Sequence, residues 1–291
     1  MNTSFALGSL IAFIAVSATG QDYAIKMQQP LKVGQRYKFT AVASEASDNS
    51  MTSGSRVLKE EKEELSVEME SEVTVLAVDA KGRATKQSHR IIKLLQGAEK
   101  KPVLAAGTKV IASRSDQKKE FEIGGAPAPV AVAKVLNLAV EITPGGPTDD
   151  EIFGTKERKK VGDQWPLNEA LALQGAKEIL AASGATVRSV KGTTTLQKVT
   201  NEGGVEIIHL VGNVTTTLSP APKGQFTFTD STMNASFSGA FPSDFSKSAR
   251  KEGETMSLEF KASGKPNPTG PMVQISAKSK QSATRQYKLL D

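Results

Sequence analysis

The chain has 291 residues, a formal net charge of +6 and no cysteine. The missing cysteines exclude disulfides, thiolate nucleophiles and cysteine-ligated metals. Aromatic residues make up only 5% of the chain, so a core must be built mainly from Val, Ile, Leu and Ala, and +6 over this length is an ordinary solubility charge.

Phe5 to Val16 reads FALGSLIAFIAV, an apolar run too short to span a bilayer. Small residues follow, so residues 1–20 read as a secretory signal, cut after Ala18 or Gly20. No later stretch reaches membrane-spanning length, so no transmembrane span is expected after cleavage. An exported, cysteine-free chain points to a bacterial periplasmic or extracellular setting.

The segment Leu31-Lys32-Val33-Gly34-Gln35-Arg36-Tyr37 opens a long β-forming stretch. Ser44 to Ser55 is small, polar and turn-rich, and reads as a mobile loop. The run Lys59 to Glu64 is a solvated strand extension or a frayed helix. From Leu65 the alternation is clear. Leu65, Val67, Met69, Val73, Val75 and Ala77 point one way, and Glu68, Glu70 and Glu72 the other, as in a strand with one buried face. Neighbouring cations should offset those glutamates, with Arg83 and Lys86 the candidates by position. Asp79-Ala80-Lys81-Gly82 then turns the chain into a strand over Arg83 to Leu95.

Ala131 to Glu141 carries Val132, Val135, Leu136 and Ala139 on one helical face behind Pro129, while its β-branched content also suits a strand. Two Pro/Gly stretches, residues 124–129 and 144–147, break regular structure. The second is followed by Asp149-Asp150-Glu151, acids that should face water in a linker. A second helix is expected over Glu169 to Ser183, with Asn168 as cap, Gly184 as stop and Leu171, Ile179 and Leu180 as its apolar stripe. Alternating strands follow at Phe226 and Phe228, at Met256 to Ala262 and at Val273 to Ala277. A last strand carries Ala283, Tyr287 and Leu289, interrupted by Arg285 on the same face.

Lys159-Lys160-Val161-Gly162-Asp163-Gln164-Trp165 matches the 31–37 segment, and the Gly turn at Asn201 to Gly204 matches the one at Asp79 to Gly82. The expected fold is therefore mainly β, with two similar antiparallel half-barrel or sandwich-like sheet domains in tandem, each with room for one short helix. The boundaries are residues 21–143 and 156–291, with 144–155 as linker.

Chemistry is sparse. His89 and His209 fall in corresponding strands without a ligand set nearby. No Gly-x-Ser-x-Gly or phosphate loop occurs. The basic groups Lys156, Arg158, Lys159, Lys160 and Lys247, Arg250, Lys251 read as solvated surface, and nucleic acid is not expected without stacking platforms. No catalytic, cofactor-binding or metal-ligating residue is assigned, and no cofactor is implied. Trp165 and Tyr37, at matching positions, read as core anchors.

Lys-Val-Gly-x-x-aromatic, the Glu-rich strand and Val78-Asp79-Ala80-Lys81-Gly82 together resemble secreted bacterial β-rich proteins of unassigned role. More loosely, the pattern is similar to periplasmic half-barrel lipid and lipoprotein carriers. That resemblance implies a curved sheet around an apolar ligand, with a lipid or envelope component as partner, and no specific residues. The reading is a non-enzymatic exported binding protein; a structural module of the envelope is the alternative, and an unrecognised hydrolase the third.

Overall fold

The computed structural model describes residues 21–115, 118–142, 145–180, 185–220, 226–228, 231–265 and 269–290. The signal segment 1–20, Gly184 and the side chains of Ile179, Leu180, Phe226, Phe228, Phe260 and Ala262 lie outside that description. The N-terminal half supplies β1 (Arg36–Ser53), β2 (Arg56–Val78), β3 (Ala84–Gln96), β4 (Lys101–Pro102), β5 (Lys109–Ser115), β6 (Lys118–Ile123) and β7 (Ala126–Pro127). Helix α1 (Val130–Ala139), helix α2 (Asp149–Phe153), β8 (Gln164–Pro166) and helix α3 (Glu169–Leu180) follow. The rest is β9 (Ala185–Glu202), β10 (Val205–Pro220), β11 (Phe226–Phe228), β12 (Ser231–Pro242), β13 (Arg250–Gly264) and β14 (Val273–Leu289).

These fourteen strands form one open antiparallel sheet, in the order β7-β6-β5-β3-β2-β1-β14-β13-β12-β10-β9-β8, with β4 beside β3 and β11 beside β13. The N-terminal half starts at the centre and meanders to one edge. The helices then carry the chain to the opposite edge, and the C-terminal half works inward until β14 meets β1. The two halves are thus joined edge to edge rather than parted into two sheets. The seam runs from Tyr37 opposite Leu289 to Thr52 opposite Gln274.

The seam also explains why Ser44 to Ser53 is strand and not loop. Its side chains are polar, but β2 and β14 take up its backbone donors and acceptors on both sides. Lys59 to Glu64 is the partner stretch, the strand extension of the two readings. Glu68 pairs with Lys93 and Lys100, Glu70 with Lys38, and Glu72 with Arg36 and Arg90. Arg83 and Lys86 are not the compensating cations: Arg83 turns inward to Asp79 at 2.7 Å. A lipid-facing strand surface is apolar, so this charged outer face is built for water.

The opposite face holds the core. Helix α1 packs against β1, β2 and β6. Those strands span four strand spacings, about 19 Å if flat, wider than a helix of about 10–12 Å, so the sheet must curl around α1. Val135, Leu136, Leu138 and Ala139 of the helix meet Phe39, Val67, Met69, Val75, Ile91, Leu94 and Val110. The C-terminal half has its own smaller clusters, one around Trp165, Leu196, Leu210 and Phe241, the other around Leu167, Ala172, Val187 and Leu218. In α3 the buried stripe includes Ala172, with Leu173 and Ala176 beside it, and the Asn168 side chain accepts from Leu171 N at 3.3 Å.

The two matched segments make the same turn. Gly34 N donates to Val75 O and Val75 N to Gln35 O; Gly162 N donates to Leu196 O and Leu196 N to Asp163 O. Gln35 and Asp163 side chains accept from Lys32 N and Lys160 N at 3.0 and 2.8 Å. Both glycines hold positive φ, +85° and +94°, where other residues are strained.

A strap of residues 21–31 crosses from one half to the other. Tyr23 pairs with Lys159, and Leu31 N donates to Gly82 O at 2.8 Å. A Cβ on Gly82 would stand 2.5 Å from Pro30, so the strap's close approach needs a glycine there.

A polar cleft at the junction of the two halves

Arg285, the residue that breaks the apolar face of β14, organises the interior at the seam. It sits opposite Ala41 on β1 and Glu252 on β13, and Ala41, Ala43 and Ala283 are small enough to leave room for it. It is 5% exposed. Its guanidinium meets Glu254 at 2.8 Å and Glu141 at 3.4 Å, and donates to Ala139 O at 3.3 Å. From β6, Lys119 donates to Asn137 O and Val140 O at 2.9 and 2.8 Å. Helix α1 has no basic residue in its last turn, so two strands supply the cations that its C-terminal carbonyls favour. Burial, the larger influence, draws the Lys119 ammonium below its ordinary range.

Next along β13, Arg250 does not belong to a surface patch with Lys247 and Lys251. It faces inward, pairs with Glu252, and lies over the Tyr287 and Phe241 rings at 5.5 and 5.8 Å. Glu252 is nonetheless pushed above the carboxylate range, because burial together with Glu141 and Asp149 outweighs Arg250.

Asp149, Asp150 and Glu151 do not simply face water. Thr148 caps α2 and forms a reciprocal capping box with Glu151, which also binds Lys81 at 2.6 Å. Asp150 accepts from Met27 N and Gln28 N at 2.6 and 3.1 Å, fastening the strap. Asp149 turns toward the seam, where burial first and Glu141 second push its carboxyl up to about 6.

Between strap, β1, β3, β13 and β14 lies a cleft of about 100 Å³. Tyr37, Tyr287, Phe245, Arg250, Glu141 and Asp149 line it, with Gln28, Gln29, Gln35, Gln87 and Arg83. The Tyr37 and Tyr287 rings stand 5.9 Å apart, tilted by 59°. Cavities that take a lipid or drug-sized molecule measure roughly 300–1,000 Å³ and are mostly apolar. This one is small and about half polar, with Leu31, Ala84 and Leu289 also in its lining, and α1 fills the curl of the sheet, so the carrier resemblance finds no support in it. Two further hollows, of about 440 and 390 Å³, are open surface depressions with charged linings.

The histidines lie apart from the cleft as chemistry. His89 is buried, with Nδ1 3.1 Å from Ser71 Oγ and Nε2 3.1 Å from Gln87 Oε1, and burial lowers its pKa to about 4. His209 Nε2 lies 2.9 Å from Thr200 Oγ1. Trp165 is core, its Nε1 donating to Phe153 O at 2.7 Å. Among the described residues no group of three or more His, Cys, Asp or Glu is arranged to hold a metal ion, and no helix is long and apolar enough to cross a membrane.

The missed residues left a faint trace. Arg250, Glu252 and Glu254 share the parity of Met256 and Leu258 in β13, so the alternation already set them on one face, the face that Arg285 occupies.

No family model matches the chain, and no curated protein matches it. Among solved structures it is weakly similar to bacterial outer-membrane β-barrels. The outer membrane protein OprG from Pseudomonas aeruginosa is 8% identical, with 89% of this chain and 97% of that one covered and a TM-score of 0.25. The toluene transporter TodX of P. putida is 6% identical, with 88% and 90% covered and a TM-score of 0.17. Likeness at this level carries no argument about what the chain does.

Proposed function

We propose that this is an exported bacterial envelope protein that works by binding, not by catalysis, and that the junction cleft is its binding site. The observation that carries this reading is the construction of the cleft. Strap, N-terminal half and C-terminal half all contribute to it, and they fix polar side chains around a recess too small for a lipid. Export rests on the apolar run Phe5 to Val16. The paired turns at Gly34 and Gly162 support a duplicated unit as the origin of the two halves.

Native mass spectrometry of protein purified from its own host tests the reading. A small polar adduct is expected on the wild type and absent from Leu31→Trp, which narrows the cleft from the strap. A bare chain in both, together with no response of cleft residues by NMR to a panel of polar small molecules, would overturn it.

A further inference from the structure

The groups around the cleft divide sharply by whether they are already engaged. The positive ones are. Arg250 is held by Glu252, and Arg83 by Asp79, with further bonds to Gly146 O and Pro147 O. Two of the acids, Asp149 and Glu141, are not closely held. The Asp149 carboxylate makes no hydrogen bond among the described residues. Tyr37 is 5% exposed, lines the cleft, and its hydroxyl has no partner there either. Glu141 receives only long contacts, 3.4 Å from both Tyr287 and Arg285. Four acids, Glu141, Asp149, Glu252 and Glu254, surround three cations, Arg250, Arg285 and Lys119.

Acids without close partners, in a recess whose arginines are already paired, call for a ligand that brings positive charge. The Tyr37 ring, packed 5.9 Å from that of Tyr287 on one wall, favours a cation with an organic body, since the face of a tyrosine attracts an ammonium. Among the described residues no three acids are arranged to hold a metal ion, which argues against a divalent metal as that cation.

We infer that the junction cleft is a receptor for a small organic ammonium group, free or at the end of a larger ligand, with Asp149 and Glu141 as its counter-ions and Tyr37 beside Tyr287 as its aromatic wall. This rests on the cleft being the binding site and names its ligand class. Because Asp149 holds its proton up to about pH 6, it must ionise to receive a cation. Glu141, Asp150, Glu252, Glu254 and Arg250 face it and set that proton's affinity. Binding therefore strengthens with pH through that window and releases a proton within it.

The test is calorimetric titration of the purified protein with ethylammonium chloride, against sodium acetate, sodium chloride and ethanol at equal ionic strength. Ethylammonium is expected to bind at least about tenfold more tightly than ethanol or acetate. Asp149→Asn should weaken it about tenfold, Glu141→Gln should weaken it too, and circular dichroism should report both variants folded. Near pH 6, buffers of different ionisation enthalpy should reveal proton release. If sodium competes as well as ethylammonium, or if acetate binds instead, the ammonium assignment is overturned while the cleft stands as a binding site. If no probe of any charge binds, both fall.

Discussion

The turns that open β1 and β8 are made of the same bonds, yet they lead to different places. After Gly34 the chain runs eighteen residues through the centre of the sheet, paired on both sides. After Gly162 it runs three residues at the edge and leaves for α3. The interiors differ as well. One half is filled by a helix and bears a single large core; the other has two small clusters and a helix near its edge. Local sequence therefore sets a turn, and the partners available around it set what the following strand becomes.

The largest effects should come from emptying the cores. Leu136→Ala in α1 and Leu196→Ala in β9 each remove a fully buried side chain and should each cost about 2–5 kcal/mol in chemical denaturation. The two belong to separate clusters, so the double variant should lose the sum to within about 0.5 kcal/mol. A larger discrepancy would mean that the seam couples the halves.

The histidines test the comparison by pH. His89 is neutral in the fold, with a pKa near 4 against an ordinary 6.5, so its stabilisation is complete above 6.5 and lost as pH falls toward 4. At about 1.4 kcal/mol per tenfold change in proton affinity, the loss amounts to about 3 kcal/mol. Asp149, raised from 3.8 to about 6, acts in the opposite sense and gains stability for the fold as pH falls through its own value. The readout is therefore a difference in slope. His89→Gln should flatten the acid loss of stability relative to wild type, and His209→Gln, at a half-buried site, should change it far less.

The smallest effect bears most directly on the matched turns. Gly34→Ala and Gly162→Ala meet no atom within 4 Å, so each pays only for its positive φ. Each should cost about 1 kcal/mol, a fall of about 2–4 °C in Tm, with the two values nearly equal. Unequal values would mean that the strands, and not the turns alone, decide the strain.

Much of this was legible in residue order. The alternation from Leu65 to Val75 and the helical spacing of Val135, Leu136 and Ala139 placed core faces correctly, because period-two and period-3.6 burial are local geometry. Ser44 to Ser53 was not legible as strand. Its polar side chains say loop, and only β2 and β14 on either side make it extended. The cleft was legible least. Arg285 was visible as an interruption, but Arg250 read as surface and Asp149 as solvated linker, since burial of a charge depends on what folds over it.

What the sequence determined by itself is the list of pleated segments, their buried faces and the two Gly turns, all consequences of contacts a few residues apart. What only the tertiary structure decided is the union of the halves through β1 and β14 and the gathering of Glu141, Asp149, Arg250 and Arg285 at that seam. Those residues are brought together by pairing the first long strand with the last, and no local pattern records so distant a partner.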